Sequence, residues 1–373
     1  MDRLEEVERK LDAVRGWLDE RAVHAVLFGS QDWFAWITAG GRGFVSTGEQ
    51  GGIASVLVTR DRAYLLTTNI EVVRLLDEEA PRQLPFEAVE RPWHDVMEDD
   101  DLVRDLVDRS TAISDMGTNG LAQAPADLAE LRFTLLPPEI ERYRALGRDA
   151  AEAVESACRS ASPGDREHDV AAAVAEEAVR RGIVPLVNLV ATGDRIGAYR
   201  HPLPTEHAVE RTLLVALTGR CHGLHASLTR MVSFGRPDDE LVARHEAVTR
   251  VDATELLASR PGTTLGEVFA AAAARYEIEG FPGEWRHHHQ GGLTGYAGRE
   301  IFATASSTHR LATGQALAWN PSITRVKSED TVLVGERGPV VLTATSDWPQ
   351  RPVALEGASI DRPAILVTEA LAG

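Results

Sequence analysis

Lysine and cysteine are nearly absent from this chain of 373 residues. Of its 39 basic residues only Lys10 and Lys327 are lysines, and all the others are arginines. This use of arginine, together with abundant alanine, valine and acidic residues, indicates a bacterial genome rich in G and C. The two cysteines, Cys158 and Cys221, are too few for a disulfide framework. A small domain held together by disulfides is therefore excluded.

An excess of positive charge is also missing. The chain has 57 acidic residues against 39 basic ones, and its formal net charge is −18. Nucleic-acid-binding proteins need a basic face, so no nucleic-acid partner is expected. No apolar run reaches the roughly 18 residues of a membrane-spanning helix, so no membrane partner is expected. Residues 1–20 are charged and helical in pattern, unlike a secretion signal, and they predict a cytoplasmic protein.

A proline-rich break separates two α/β segments. The length allows two domains, each with its own core. Leu136-Pro137-Pro138 lies between them, at a point where proline ends regular structure. We therefore predict an N-terminal domain over 1–135 and a C-terminal domain over 136–373. In the first domain, apolar periodicity predicts a helix over 3–22 and strands over 25–29, 53–59 and 63–68.

The second segment alternates helix and strand patterns until its last part. Apolar periodicity and caps predict helices over 139–161, 165–182, 238–259 and 264–279. Strands are predicted over 186–191, 212–218 and 226–234. Residues 285–345 read as strands joined by glycine turns. The tail after Asp347 is rich in proline and weakly patterned, so no element is predicted there.

Seven motifs in a fixed order carry a resemblance to a known superfamily. They are LDERAVHAVLFGSQDWFAWITAG (18–40), PPEIERYRALGRDAAEAV (137–154), PGDREHDVAAAV (163–174), HPLPT (201–205), LVALTGRCHGLHASLTRMVSFG (214–235), HHHQGGLTGY (287–296) and ALAWNPSITRVKSEDTVLV (316–334). Together they resemble the creatinase, aminopeptidase P and prolidase (M24) superfamily over nearly the whole chain. The resemblance implies an α/β protein: a creatinase-like N-terminal domain followed by a pita-bread catalytic-type domain. It also implies a homodimer.

The superfamily's metal-binding positions are largely altered in this sequence. The resemblance places two aspartates on Ala216 and Ser227, a histidine on His289, and two glutamates on Asn320 and Glu329. Only His289 and Glu329 keep the expected residue type, and that is too few donors for two divalent ions. We therefore expect no metal and no other cofactor. The alternative is a metal site rebuilt from neighbouring histidines, namely His222, His225, His287 or His288.

The remaining polar side chains suit proton-transfer chemistry. The resemblance places His201 at the catalytic histidine of creatinase, and an imidazole can take and return a proton near neutral pH. The predicted catalytic residues are His201, His289 and Glu329. The predicted substrate-binding residues are Arg200, Ser227, Arg230, Tyr296, Asn320 and Lys327. Arg230 has a second interpretation, a buried structural ion pair with Asp330 or Glu329.

Three functions are compatible with this pattern. The favoured hypothesis is a metal-independent, creatinase-like hydrolase, or a lyase derived from it, that cleaves a C–N bond of a small polar substrate resembling an amino acid. The first alternative is an Xaa-Pro-type metallo-aminopeptidase with an altered metal site. The second is a non-catalytic pseudo-peptidase that binds a ligand in the same pocket. The expected partner is a small-molecule substrate, such as a dipeptide or an amino-acid derivative.

Overall fold

The chain divides after Glu139 into two units, Met1–Glu139 and Ile140–Gly373. The structure is a computed structural model, and it describes residues 1–98, 101–355 and 357–369. The domain boundary predicted from the sequence, between 135 and 136, stays a prediction. Among the residues that the structure describes, no helix combines the length and apolar character needed to span a lipid bilayer.

Unit 1 is built around one mixed sheet. Its described elements are α1 (Arg3–Glu20), β1 (Ala25–Ser30), α2 (Gln31–Ile37), β2 (Gly51–Thr59), β3 (Ala63–Thr68), α3 (Val72–Arg74), β4 (Glu87–Arg91), α4 (Trp93–Glu98), β5 (Ala112–Ser114) and β6 (Ala122–Gln123). The strands lie in the order β4-β3-β2-β1-β5-β6. Leu27 pairs with Leu57 in the antiparallel direction and with Ser114 in the parallel direction. The predicted helix and three strands are confirmed to within two residues at each end.

The first helix illustrates how the sequence specifies this unit. The side chain of Asp2 accepts a hydrogen bond from the backbone N–H of Glu5, and the side chain of Glu5 accepts one from the backbone N–H of Asp2. This capping box satisfies two backbone N–H groups at the start of α1. The apolar stripe along α1 is buried, as its spacing of three and four residues predicts. Lys10 lies on the same helix with only 2% of its side chain exposed, and its Nζ atom is 2.7 Å from carboxylate oxygens of both Glu6 and Glu139.

Unit 2 contains a larger set of helices and sheets. Its described elements are α5 (Pro137–Ser160), which begins just before the division, α6 (Glu167–Arg180), β7 (Val184–Thr192), α7 (Arg195–Ala198), β8 (Thr212–Cys221), β9 (Leu224–Phe234), α8 (Asp239–Ala258), α9 (Leu265–Ile278), β10 (Gly291–Thr294), β11 (Ile301–Phe302), β12 (Ala316–Trp319), β13 (Ser322–Ile323), β14 (Val326–Lys327), β15 (Asp330–Gly335), β16 (Gly338–Val341), β17 (Gln350–Leu355), β18 (Ala358–Pro363) and β19 (Leu366–Thr368). The larger sheets run β19-β9-β8-β7 and β11-β10-β12-β15-β16. An isolated bridge between Thr229 of β9 and Glu329, just before β15, is one of the contacts that join them.

The hairpin of β8 and β9 has its register set by its turn. His222 and Gly223 both have positive φ values, 51° and 81°, and they join the last pair, Cys221 and Leu224. Two positive φ values in a two-residue loop match the twist of the flanking strands. This register places Ala216 opposite Thr229 and Thr218 opposite Ser227. Residues two apart on one strand share a face, so these four residues form one surface.

The tail after Asp347 differs from the sequence-based expectation. It forms three strands, β17, β18 and β19, where the sequence predicted no element. β17 and β18 form a two-stranded sheet of their own, and β19 pairs in parallel with β9, with Leu366 beside Val232. Short strands of this kind have little apolar alternation, and β19 pairs with β9, a strand far away in the sequence. Local pattern therefore gives almost no signal for them.

Candidate active site

A cavity of about 390 Å³ lies in unit 2. Its polar lining residues are His201, Thr218, His225, His289, Arg299, Asn320, Lys327 and Glu329. The rest of the lining consists of Leu186, Val187, Leu189, Ala216, Leu217, Gly298 and Phe302. A second cavity, of about 430 Å³, lies beside Asp194 and Arg211 and includes none of the predicted site residues. The first cavity is therefore the candidate site.

The β8–β9 hairpin supplies one wall of this cavity with no acidic side chain. Ala216 lines the cavity with only a methyl group. Ser227 is buried, and its hydroxyl is 2.9 Å from that of Thr218. The predicted substrate contact of Ser227 is therefore indirect in this geometry, because Thr218 is the residue of this pair that lines the cavity.

Glu329 is held by two cations and a hydroxyl. Its Oε2 atom is 2.7 Å from Nζ of Lys327 and accepts a hydrogen bond from the hydroxyl of Thr229, also at 2.7 Å. Its Oε1 atom is 3.7 Å from the guanidinium of Arg299. Burial alone would raise the pKa of this carboxyl, but Lys327, Arg299 and Thr229 together lower it to about 2. Glu329 is therefore ionised at neutral pH and already paired.

Three histidines form a cluster beside this ion pair. His201, His288 and His289 each offer a ring nitrogen within 4.8 Å of the others, and Nε2 of His201 is 3.0 Å from Nε2 of His288. Partial desolvation lowers the pKa of all three rings, to about 3 for the buried His288 and about 4 for His289, which like His201 stays open to solvent. Lys327 lowers these three pKa values further, and Arg299 adds to the effect on His289. The cluster is neutral at pH 7.

Asn320 offers an unpartnered acceptor. It follows β12, and its backbone N–H donates to the carbonyl of Gln290 at 3.0 Å, which fixes the chain before Pro321. Its side chain is only 3% exposed and lines the cavity, yet Oδ1 has no hydrogen-bond partner. A buried acceptor without a partner costs about 1–3 kcal/mol. This atom can therefore accept an N–H group from a bound ligand.

Two glycines bring the histidine segment close to β12. Gly291 and Gly292 have φ values of 108° and 147°, which disfavour any residue with a side chain. A Cβ atom on Gly291 would overlap the carbonyl of Ala318, and one on Gly292 would overlap the carbonyl of Ile301. Both glycines follow the histidine run closely, so this close packing fixes the position of His289 relative to Asn320.

Besides Ser227, three predicted substrate-binding residues lie outside the cavity lining. Arg200 is 2.8 Å from a carboxylate oxygen of Glu284 and donates to the hydroxyl of Thr324. Tyr296 is fully buried and does not line the cavity. Arg230, also fully buried, is 3.2 Å from Glu155 and 3.1 Å from Asp330. The structure therefore agrees with the second interpretation of Arg230, a buried structural ion pair, and the partner is Asp330 rather than Glu329.

The structure brings five predicted residues to the cavity and adds others. His201, His289, Asn320, Lys327 and Glu329 all line it. Sequence reasoning missed Arg299 altogether, because one arginine among so many gives no signal. It named His225 and His288 only as metal donors.

A family model gives the evolutionary context of this site. The model of metallopeptidase family M24 matches residues 141–336, more than half of the chain. The chain belongs to metallopeptidase family M24. This confirms the resemblance predicted from the seven motifs, and the matched range contains every residue of the cavity lining.

Individual M24 relatives cover different shares of the chain. The "Probable dipeptidase PepE" of Mycobacterium tuberculosis is 27% identical over 221 residues, 57% of this chain and 59% of that protein. The "Xaa-Pro dipeptidase" of Pyrococcus furiosus is 26% identical over 228 residues, 58% of this chain and 65% of that protein. The match thus spans less than two thirds of either curated relative.

A solved structure covers almost the whole chain. The Xaa-Pro dipeptidase from Bacillus anthracis superposes with a TM-score of 0.73 at 18% identity, over 97% of this chain and 100% of that one. At this identity the likeness shows the fold alone, and it confirms the predicted α/β architecture with a pita-bread C-terminal domain. Among the functional hypotheses, these M24 relatives favour the peptidase alternative over the creatinase-like one.

The residues present do not fit the metal centre that the family name implies. Ala216 has no donor atom, Ser227 bonds to Thr218, and Asn320 offers an amide in place of a carboxylate. Glu329 is the one carboxylate of the cavity lining in the described residues, and two cations already pair with it. Two divalent ions need bridging carboxylates to offset their repulsion. No step of the reaction is therefore assigned to metal ions.

Proposed function

We propose that the cavity hydrolyses a C–N bond in a short peptide, or in an amino-acid derivative of similar size. Membership of family M24 supports peptidase-like chemistry, and two relatives bear dipeptidase names. A cavity of about 390 Å³ is at the lower end of the size range of small-molecule sites. The single observation that carries the proposal is that His201, Asn320 and Glu329 line the same cavity.

His201 acts as the general base in this proposal. Burial lowers its pKa below the ordinary value, so its ring is neutral at pH 7 and can accept a proton. For this role, Nε2 of His201 donates to Nε2 of His288, 3.0 Å away, which leaves Nδ1 of His201 unprotonated. His288 is then a positioning residue that fixes the tautomer.

The proton balance is simple. Nδ1 of His201 takes a proton from water as the water oxygen bonds to the amide carbon. The same proton returns to the leaving nitrogen as the C–N bond breaks. The products are a carboxylic acid and an amine.

The remaining polar atoms complement an amide substrate. The unpartnered Oδ1 atom of Asn320 accepts the substrate N–H. Lys327 uses one hydrogen-bond acceptor among the described residues, Glu329, so its other N–H groups can donate to the substrate carbonyl. Charge that develops on this oxygen during attack is stabilised by the ammonium. Glu329 keeps the ammonium in place.

The test is a substrate panel combined with a matched pair of variants. Purified protein is incubated with X-Pro and other dipeptides, N-acyl amino acids and creatine, with and without EDTA, and products are measured by mass spectrometry. His201→Ala should lower the rate by about 10²–10⁴-fold. The control is His207→Ala, because His207 is an exposed histidine near the same segment that lies outside this cavity.

Two results would contradict the proposal. Full activity of His201→Ala would remove its central residue. Tight binding of panel compounds without any turnover would instead support the second candidate, a non-catalytic binding protein, which the missing metal donors favour. We also propose that the protein is bacterial, acts in the cytoplasm and forms a homodimer.

A further inference from the structure

The ammonium of Lys327 is buried next to a carboxylate and a group of imidazoles. Nζ lies 2.7 Å from Glu329, and both side chains are at most 8% exposed. Lys327 lines the same cavity as His201 and His289, and His288 belongs to the same histidine cluster. One buried cation therefore lies in the region of four groups that are potential metal donors: three imidazoles and one carboxylate.

The residue type at this position is informative. Only two lysines occur in the chain, and arginine serves everywhere else. Both lysines are buried beside carboxylates, Lys10 beside Glu6 and Glu139, and Lys327 beside Glu329. A guanidinium is planar and broad, whereas an ammonium is a compact point charge. The chain thus has lysine where a small cation must fit among buried acceptors.

We infer that the ammonium of Lys327 is a built-in cation that takes the place of a metal ion between Glu329 and the three histidines. This inference concerns only the cation in the cavity, so it does not depend on whether the protein hydrolyses a substrate there. The three imidazoles alone are a sufficient donor set for a single Zn²⁺ ion, and Glu329 lines the same cavity. The obstacle to such an ion is electrostatic.

Charge counting shows the size of this obstacle. Lys327 and Arg299 supply two positive charges, and Glu329 offsets one of them. A divalent ion would be repelled by the remaining charge and would compete with Lys327 for Glu329. At an effective dielectric constant of about 20, a pair of unit charges about 4 Å apart changes a binding constant by roughly 10³-fold. Removal of Lys327 should therefore open the donor set to one divalent ion.

The experiment compares metal affinity across a short series of variants. Metal-stripped protein is titrated with Zn²⁺ by calorimetry and with Co²⁺ by visible absorption, which reports tetrahedral coordination. Lys327→Ala should bind one equivalent at least about a hundredfold more tightly than the wild type. Lys327→Arg keeps the charge and should bind as weakly as the wild type. Lys327→Ala with Glu329→Gln should lose most of the gain.

Each contrary outcome is decisive. One tightly bound equivalent in the wild-type protein would overturn the inference without any variant. It would also be overturned if folded Lys327→Ala gained no affinity, or if the double variant bound as tightly as Lys327→Ala, since the ion would then lie elsewhere. Lys327→Met, with a side chain of similar length, replaces Lys327→Ala if that variant fails to fold. None of these measurements uses a substrate, so they are independent of the proposed hydrolysis.

Discussion

Replacing Glu329 by glutamine should measure how strongly the cavity depends on one carboxylate. The carboxyl pKa falls from 4.5 to about 2 in the folded protein. A tenfold change in an acid dissociation constant corresponds to about 1.4 kcal/mol, so the ionised carboxylate contributes about 3.5 kcal/mol to stability at neutral pH. The glutamine variant leaves Lys327 and Arg299 without a negative partner, which costs a comparable amount.

The sign of the pH dependence follows from the lowered pKa. The stabilisation is fully present above the unfolded-state pKa, near 4.5, and is lost as the pH falls toward about 2. The difference between wild type and Glu329→Gln should therefore be constant from about pH 5 to pH 8 and shrink below this range. Differential scanning calorimetry should show a Tm lower by about 7–14 °C for the transition of unit 2.

Matched variants make this measurement specific. Glu206 is a carboxylate with 68% of its side chain exposed, and Glu206→Gln should change the Tm far less. Adding Lys327→Met to Glu329→Gln removes a buried charge without a partner, so it should restore part of the loss. Equal Tm values for wild type and Glu329→Gln at pH 7 would refute the reasoning. A difference that changes between pH 6 and pH 8 would also refute it, because a histidine would then be responsible.

Three further outcomes can be checked with simple variants or a pH series. Arg230→Met should destabilise unit 2 by about 1.5–3 kcal/mol, because Glu155 and Asp330 each lose one cationic partner while Asp330 keeps Arg362, whereas Arg236→Met, at a side chain 88% exposed, should be nearly neutral in a thermal-shift assay. Gly292→Ala should abolish soluble expression, because its φ of 147° and the nearby carbonyl of Ile301 exclude a Cβ atom; Gly298→Ala, which has open space, should remain soluble. The acidic limb of the rate profile for hydrolysis should lie below pH 6.5 because burial lowers the pKa of His201, and a limb centred above pH 7 would contradict His201 as the base.

Much of the fold could be predicted because its elements carry local signals. Apolar periodicity predicted α1, and the Thr264–Glu267 capping box, which the structure contains, predicted the start of α9. The gap between the predicted strands over 212–218 and 226–234 contains the turn at His222 and Gly223 that joins β8 and β9. β19 was not predictable in this way, since its stability comes from pairing with β9 rather than from its own three residues.

The site was predictable in its positions but not in its interactions. Motif spacing predicted that His201, His289 and Glu329 lie together, and all three line the cavity. Nothing in the sequence indicated that Arg299 would approach Glu329, because these residues are far apart in the chain and come together only when unit 2 folds. For Arg230, the motif position suggested substrate binding, whereas the structure shows an ion pair with Asp330.

The burial of both lysines has a practical consequence for handling this protein. Lys10 and Lys327 have 2% and 7% of their surface exposed, so amine-reactive dyes and cross-linkers should modify the folded chain almost solely at its terminal amine. A lysine-specific endoprotease should leave the native protein intact and cut it only after unfolding. Uniform single-point immobilisation is thus available without engineering, and lysine reactivity becomes a direct reporter of local opening around Glu329.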